Sequence, residues 1–288
     1  MIVRSINDKH FDRFLKDFKF LFSRIRDEKG ELDLRLRNDY FNLYYKGNSL
    51  AKVRVEKVPY KIMINSKFTH EGLGKISDSN TDSQYYTYSV SPDYLHSFFS
   101  KVNIQKSLAA IKKEHYNEEL SLEQMLIADN LNRNDFFVID RQVQGGALGG
   151  SRIDLLALRR QLPEQGNDYQ FLIIEIKLGN NPELYEKVGV QLKKYKDIFI
   201  DHFDEFKECY ERTYYQMKQT GVLSAPSFET VNIVLPVDAC VVVFGYPGKA
   251  RDALDSLSEK YSSIPYKQFR LEMLSLDELK PKLIPIKT

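Results

Sequence analysis

The sequence predicts an α/β protein whose larger part runs helix, strand, strand, strand, helix, strand. A smaller α+β part with an antiparallel β meander precedes it. Three observations carry this. Residues 171–177, Phe-Leu-Ile-Ile-Glu-Ile-Lys, lack the polar alternation of a half-solvated strand and read as a strand buried on both faces. Residues 153–158 form a second apolar run with one carboxylate, Asp154. The polar stretch 159–170, with Pro163, Gly166, Asn167 and Asp168, turns one run back on the other as a hairpin. Between Leu32 and Ile64, apolar and polar residues alternate about short turns, as meander strands do.

In chain order, Phe11, Phe14, Leu15, Phe18, Phe22 and Ile25 recur at steps of three and four, predicting one amphipathic helix over 8–26. Residues 32–37 alternate strictly, 40–46 are aromatic and strand-like, Gly47-Asn48 makes a turn, and 51–58 alternate again before 60–64. The alternation places Arg35, Arg37, Lys52 and Arg54 on exposed faces, with Tyr44 or Tyr45 close by. Such interleaving suits single-stranded nucleic acid, whose bases stack on rings while phosphates meet the charges, although meander aromatics also serve as core. Residues 68–90, with Gly72, Gly74 and the polar run 77–83, read as a loop or linker. This divides the chain into 1–90, an α+β domain for nucleic acid or a partner, and 91–288, the larger domain with a connecting helix at 92–116.

Ser121 is the expected N-cap of a helix over 121–128, and 136–143 is the next strand. The four glycines within 144–150 are followed by neither Lys-Ser nor Lys-Thr, so they form a loop rather than a phosphate cradle. Helix is expected over 183–206 and onward to Thr220, carrying Lys187, Lys193, Lys194 and Lys196. A strand at 237–246, a helix at 250–261 and a strand at 268–274 complete the order.

A chain of 288 residues, 42% hydrophobic, can bury a substantial core. No apolar stretch approaches the ~20 residues of a membrane span. The N-terminus, rich in Asp, Lys and Arg by residue 19, has no signal-peptide core, so a cytoplasmic protein without membrane contact is expected. Cys209 and Cys240 lack metal-ligand spacing, and the five histidines form no zinc or His-metal nuclease motif. Net charge is +2, yet residues 1–70 hold sixteen Lys or Arg against nine Asp or Glu, a local +7 that leaves −5 elsewhere. Such concentration attracts phosphate, or simply solvates a surface.

Glu175 and Lys177, two apart on one strand, leave the sheet on the same side. Burying both without partners is costly, which places them at an open strand end facing a metal ion, an anion or each other. The hairpin brings Asp154 to Glu175. Two carboxylates at hard-cation distance beside a lysine are what a Mg²⁺-dependent phosphodiester hydrolase needs.

Asp154 followed by Glu175-Ile176-Lys177 resembles the D…(D/E)-x-K signature of the PD-(D/E)xK nuclease superfamily. Residues 152–157, Arg-Ile-Asp-Leu-Leu-Ala, are similar to the G-R-I-D-L-L-A strand of its RecB-like and NucS-like members, with Ser151 where the glycine is expected. Gln191 to Tyr195 resembles their Q-x-x-x-Y motif, whose spacing of four shares a helix face. Over residues 117–275 the resemblance implies a restriction-endonuclease-like αβββαβ core. It implies Mg²⁺ or Mn²⁺ on Asp154, Glu175, the Ile176 carbonyl and Glu123, with Glu119 as the rival third acid. It also implies that Lys177 positions the attacking water, while Gln191 and Tyr195 shape the site and touch phosphate. The expected activity is metal-dependent cleavage of nucleic acid, DNA foremost, with a homodimer admitted. Two alternatives stand beside it: a non-catalytic nucleic-acid-binding or assembly module, and a nuclease effector of a defence or restriction system.

Overall fold

The computed structural model describes residues 2–77, 84–114, 117–160, 166–260 and 266–269. Asn7 caps α1 (Asp8–Asp17), its side chain accepting from the Lys9 N–H at 3.2 Å. The chain bends at Phe18 before α2 (Lys19–Asp27), so two helices replace the single one expected over 8–26. The bend lets successive aromatics reach one sheet. Phe18 meets Phe41 and Tyr60 edge-on, each at 5.0 Å, and Phe14 lies 5.5 Å from Phe41.

That sheet is antiparallel throughout, in the order β1 (Leu32–Arg37), β2 (Tyr40–Tyr45), β3 (Asn48–Arg54), β4 (Tyr60–Asn65) and β5 (Tyr85–Val90). The first four are the expected meander. The fifth corrects the loop expected over 68–90: β5 is a half-exposed edge strand and so lacks a strong apolar signature. The β2–β3 turn has positive φ at Lys46 (44°) and Gly47 (75°), the paired geometry that tight hairpins use. A Cβ on Gly47 would stand 2.5 Å from the Leu120 side chain, so glycine also permits a close approach.

Helices α3 (Leu95–Phe98) and α4 (Lys101–Glu114), broken at Phe99, fill the expected connecting stretch. Next, α5 (Glu118–Asp129) starts three residues before Ser121. Its cap is Asn117, which accepts from the Leu120 N–H at 3.1 Å, and Glu118 and Glu119 sit in the positive first turn.

A second, mixed sheet follows. Strands β6 (Phe136–Gln144), β7 (Arg152–Arg160) and β8 (Asp168–Leu178) are antiparallel neighbours. After α6 (Glu183–Glu186), α7 (Val188–Asp201) and α8 (Phe203–Thr220), the two-residue β9 (Asn232–Ile233) joins the start of β8. Then β10 (Asp238–Phe244), α9 (Pro247–Lys260) and β11 (Tyr266–Phe269) complete the path, with β8, β10 and β11 parallel. The helical stretch expected over 183–220 is therefore interrupted at Lys187 and His202. The last strand starts earlier than residue 268, and 270–274 lie outside the described residues.

Strand β8 is covered on both faces, as its composition requires. Phe171 and Ile173 pack with Phe199 and Tyr210, whereas Leu172, Ile174 and Ile176 pack with Leu122 and Ile127 of α5. Odd-numbered Glu175 and Lys177 therefore continue the face that α7 and α8 cover.

The exposed placement of Arg35 and Arg37 is overturned: they are 5% and 4% exposed. The polar face of β1 lies against β6, the outer strand of the mixed sheet. Arg35 Nη1 donates to the Val138 carbonyl at 2.8 Å, and Arg37 Nη2 to the Arg141 carbonyl at 2.9 Å. Arg4 Nη2 donates to the Gln144 carbonyl at 2.8 Å. Guanidinium groups thus seal carbonyls of a strand edge that would otherwise be open to pairing. Their charges converge on Asp140, 2.6 Å from Arg37 Nη1 and 3.0 Å from Arg4 Nε. Part of the N-terminal positive charge is thereby interior.

Candidate active site

The β7–β8 ladder ends at Leu155 and Ile174. Beyond that point the strands part, and N–H groups of β8 that would continue the ladder meet carboxylates. Asp154 Oδ2 accepts from the Ile176 N–H at 3.0 Å; Glu119 Oε1 accepts from the Leu178 N–H at 3.2 Å and from Asn181 Nδ2 at 2.9 Å. The parting places Asp154 and Glu175 side by side, each carboxyl group close enough to act on the other's protonation. Glu175 is 2% exposed, and its Oε1 is buried without a hydrogen-bond partner among the described residues.

Burial raises the Asp154 carboxyl above the ordinary range despite the Ile176 hydrogen bond and the nearby Lys177 charge. Burial, reinforced by the Asp154 charge, lifts Glu175 well above it. Two abutting acids in a shielded place hold together by retaining a proton or by sharing a cation. Lys177 Nζ stands 3.0 Å from Glu183 Oε2 and 3.7 Å from Glu175 Oε2. Burial lowers its affinity for a proton, but Glu175, Asp154 and Glu183 outweigh that, so it remains ammonium.

Glu123 lies 2% exposed with both oxygens engaged. It accepts from Arg141 Nη2 and Gln142 Nε2, each at 2.7 Å, and burial outweighs these contacts to push its carboxyl up to about 7. The Asp154 charge contributes to that rise, and Glu119 is felt by both Asp154 and Lys177. The two rival acids thus flank Asp154, Glu123 tied to β6 and Glu119 to the end of β8.

On the α7 side, Tyr195 Oη donates to the Arg152 carbonyl at 3.1 Å, and burial followed by the Glu175 and Asp154 charges raises its phenol to about 12. Gln191 Oε1 is buried without a hydrogen-bond partner among the described residues, and Lys194 Nζ donates to Ser151 Oγ at 3.0 Å. Two clefts of about 630 and 510 Å³ meet here, sharing Gln144, Arg152 and Asp154. One holds Glu119 and Glu123, the other Glu175, Lys177, Gln191 and Tyr195. All the sequence-derived side chains therefore line one continuous groove.

Sequence reasoning missed Glu183, Arg141 and Gln142. Asp140-Arg141-Gln142 inside an otherwise apolar strand was the available signal, since polar residues there need partners. For Glu183 the only signal was an acid opening a helix after Pro182. Among the described residues, no three His, Cys, Asp or Glu side chains converge as a metal cluster. What converges is two carboxyl groups beside the Ile176 peptide. That all-oxygen set, with one carboxylate oxygen unpartnered, fits a hard divalent cation completed by backbone oxygen and water.

Comparison of the chain with protein-family models, with curated proteins and with solved structures gives no match. No helix among the described residues is long and apolar enough to cross a membrane.

Proposed function

We propose that the chain is a metal-dependent nuclease that hydrolyses phosphodiester bonds, with DNA as its substrate. The observation that carries this reading is the pairing of half-buried Asp154 with buried Glu175 beside the Lys177 ammonium, where β7 and β8 part. The order α5, β6, β7, β8, α7, β10, with β8 and β10 parallel, supports the restriction-endonuclease-like core.

Asp154, Glu175 and the Ile176 carbonyl would hold Mg²⁺ or Mn²⁺, and Glu123, its oxygens already engaged by Arg141 and Gln142, would join through water. Such a cation supplies Lewis acidity toward the scissile phosphate. Lys177, held between Glu183 and Glu175, donates a hydrogen bond that orients the attacking water. Gln191 and Tyr195 close the α7 side, while Arg152 and Lys194 at the groove meet phosphate charge. The test is a panel of linear and circular, single- and double-stranded DNA and RNA with Mg²⁺, Mn²⁺ or EDTA. Metal-dependent cutting that Lys177→Ala loses supports the reading; metal-independent cutting or none defeats it.

One observation favours a second reading, a binding module without turnover. Lys177 and Glu123 are both engaged by ion-pair partners, Glu183 and Arg141. On that reading the panel binds in a salt-sensitive way and nothing is cut.

A further inference from the structure

We propose that the cleft between the β2–β3 hairpin and α5 receives one unpaired base of the substrate strand, adjacent to the phosphate at Asp154. The position of that phosphate rests on the nuclease reading; the ligand chemistry rests on the cleft. Its volume of about 630 Å³ lies within the range of small-molecule pockets, about 300–1,000 Å³.

The lining selects against a second phosphate. Arg4 and Arg37 reach the cleft, but both are buried and committed to Asp140 and to β6 carbonyls. Glu119 and Glu123 on the α5 wall oppose an anion. Arg152, the remaining cation, is shared with the groove at Asp154 and Glu175 and serves the phosphate there. Beside it the cleft offers neutral groups: the amides of Asn42, Asn48 and Gln142, each with one amide N–H in use on Tyr44, Lys46 or Glu123, and the hydroxyl of Ser49. Base edges carry the complementary groups.

Two details of the hairpin wall sharpen this. Asn42 Nδ2 donates to Tyr44 Oη at 2.9 Å, while its Oδ1 is buried with no hydrogen-bond partner among the described residues. That acceptor lacks a donor that an amino or imino group of a base supplies. Tyr40 of β2, with Lys52 Nζ over one face of its ring at 4.1 Å, and Tyr85 of the edge strand β5 both line the cleft and offer rings on which a base stacks. A paired base has its edge occupied and its faces stacked, so the occupant is single-stranded or extruded from a duplex.

The test uses the full chain and a fluorescein-labelled single-stranded oligodeoxynucleotide in which one abasic site is walked along the strand. Binding is read by anisotropy in EDTA and cutting is read with Mg²⁺. The expected result is one position where base removal weakens binding at least about fivefold, the scale of a lost stacked base. Asn42→Ala and Ser49→Trp should erase that positional difference. Uniform binding along the walk, or no binding, overturns the base cleft, and the walk needs no variant to fold. A positional effect without cutting supports the cleft and removes the nuclease reading; cutting with a flat walk does the reverse.

Discussion

Asp154 Oδ2 accepts a 3.0 Å hydrogen bond from the Ile176 N–H, continuing with a side chain a ladder that the backbone abandons at Leu155 and Ile174. Asparagine can accept the same bond while removing a charge that burial and the nearby Glu119 charge both oppose. Asp154→Asn should therefore lose metal-dependent cleavage yet melt higher than the native chain in EDTA. The rise should be about 2–4 °C per kcal/mol relieved. A lower melting point would show that the charge itself stabilises the splayed strands.

Lys177 is held by Glu183 at 3.0 Å, a contact that fixes the ammonium without touching the carboxyl pair. Lys177→Ala should slow cutting by about 10²–10⁴-fold, the range of a positioned proton-handling group, with oligonucleotide affinity in EDTA little changed. Glu183→Gln should act through Lys177, lowering kcat about tenfold at constant KM, the smaller effect of an outer partner. Glu183→Asp should recover part of that loss. Equal losses in KM would instead assign Glu183 to substrate binding.

The rival acids are separable by metal titration. Glu123 has both oxygens engaged by Arg141 and Gln142, so Glu123→Gln should raise the Mg²⁺ concentration for half-maximal cutting about 10–100-fold, as loss of an outer-sphere carboxylate does. Glu119 uses Oε1 to cap β8, a role that the Oε1 of glutamine retains, so Glu119→Gln should leave the metal requirement unchanged. The reverse ranking would make Glu119 the acid nearest the cation.

The hairpin that pairs Asp154 with Glu175 was legible because both strands are apolar runs with single charges and the stretch between them is rich in turn residues. The meander was legible for the same local reason. What one-dimensional pattern could not show is which polar face another sheet covers. Leu32 to Arg37 alternates as a solvated strand does, yet all six residues are buried, because Arg35 and Arg37 spend their donors on β6. The bend at Phe18 escaped for a related reason: the 3.6-residue period continues through it, and only packing against Phe41 and Tyr60 separates the two helices. Glu183 lay beyond reach because its partner, Lys177, is set by where α6 lands and not by spacing.

Asp140 gives the clearest stability prediction. Burial alone would raise its carboxyl, but Arg37, Arg4 and Arg35 reverse that and hold it below the ordinary value. A folded-state pKa below the unfolded one contributes stability above the unfolded value, near 3.9, that is lost as pH falls through the folded one. Asp140→Asn leaves Arg4 and Arg37 buried without their counter-charge. Breaking such a pair costs about 3–5 kcal/mol, so at pH 7 the variant should melt on the order of 10 °C lower. The gap between native and variant should narrow as pH is brought from 5 to 3, which melting curves across that range would read. A gap that stays constant would mean that Asp140 acts through its hydrogen bonds from Arg141 N–H and Tyr210 Oη, with the charge contributing nothing.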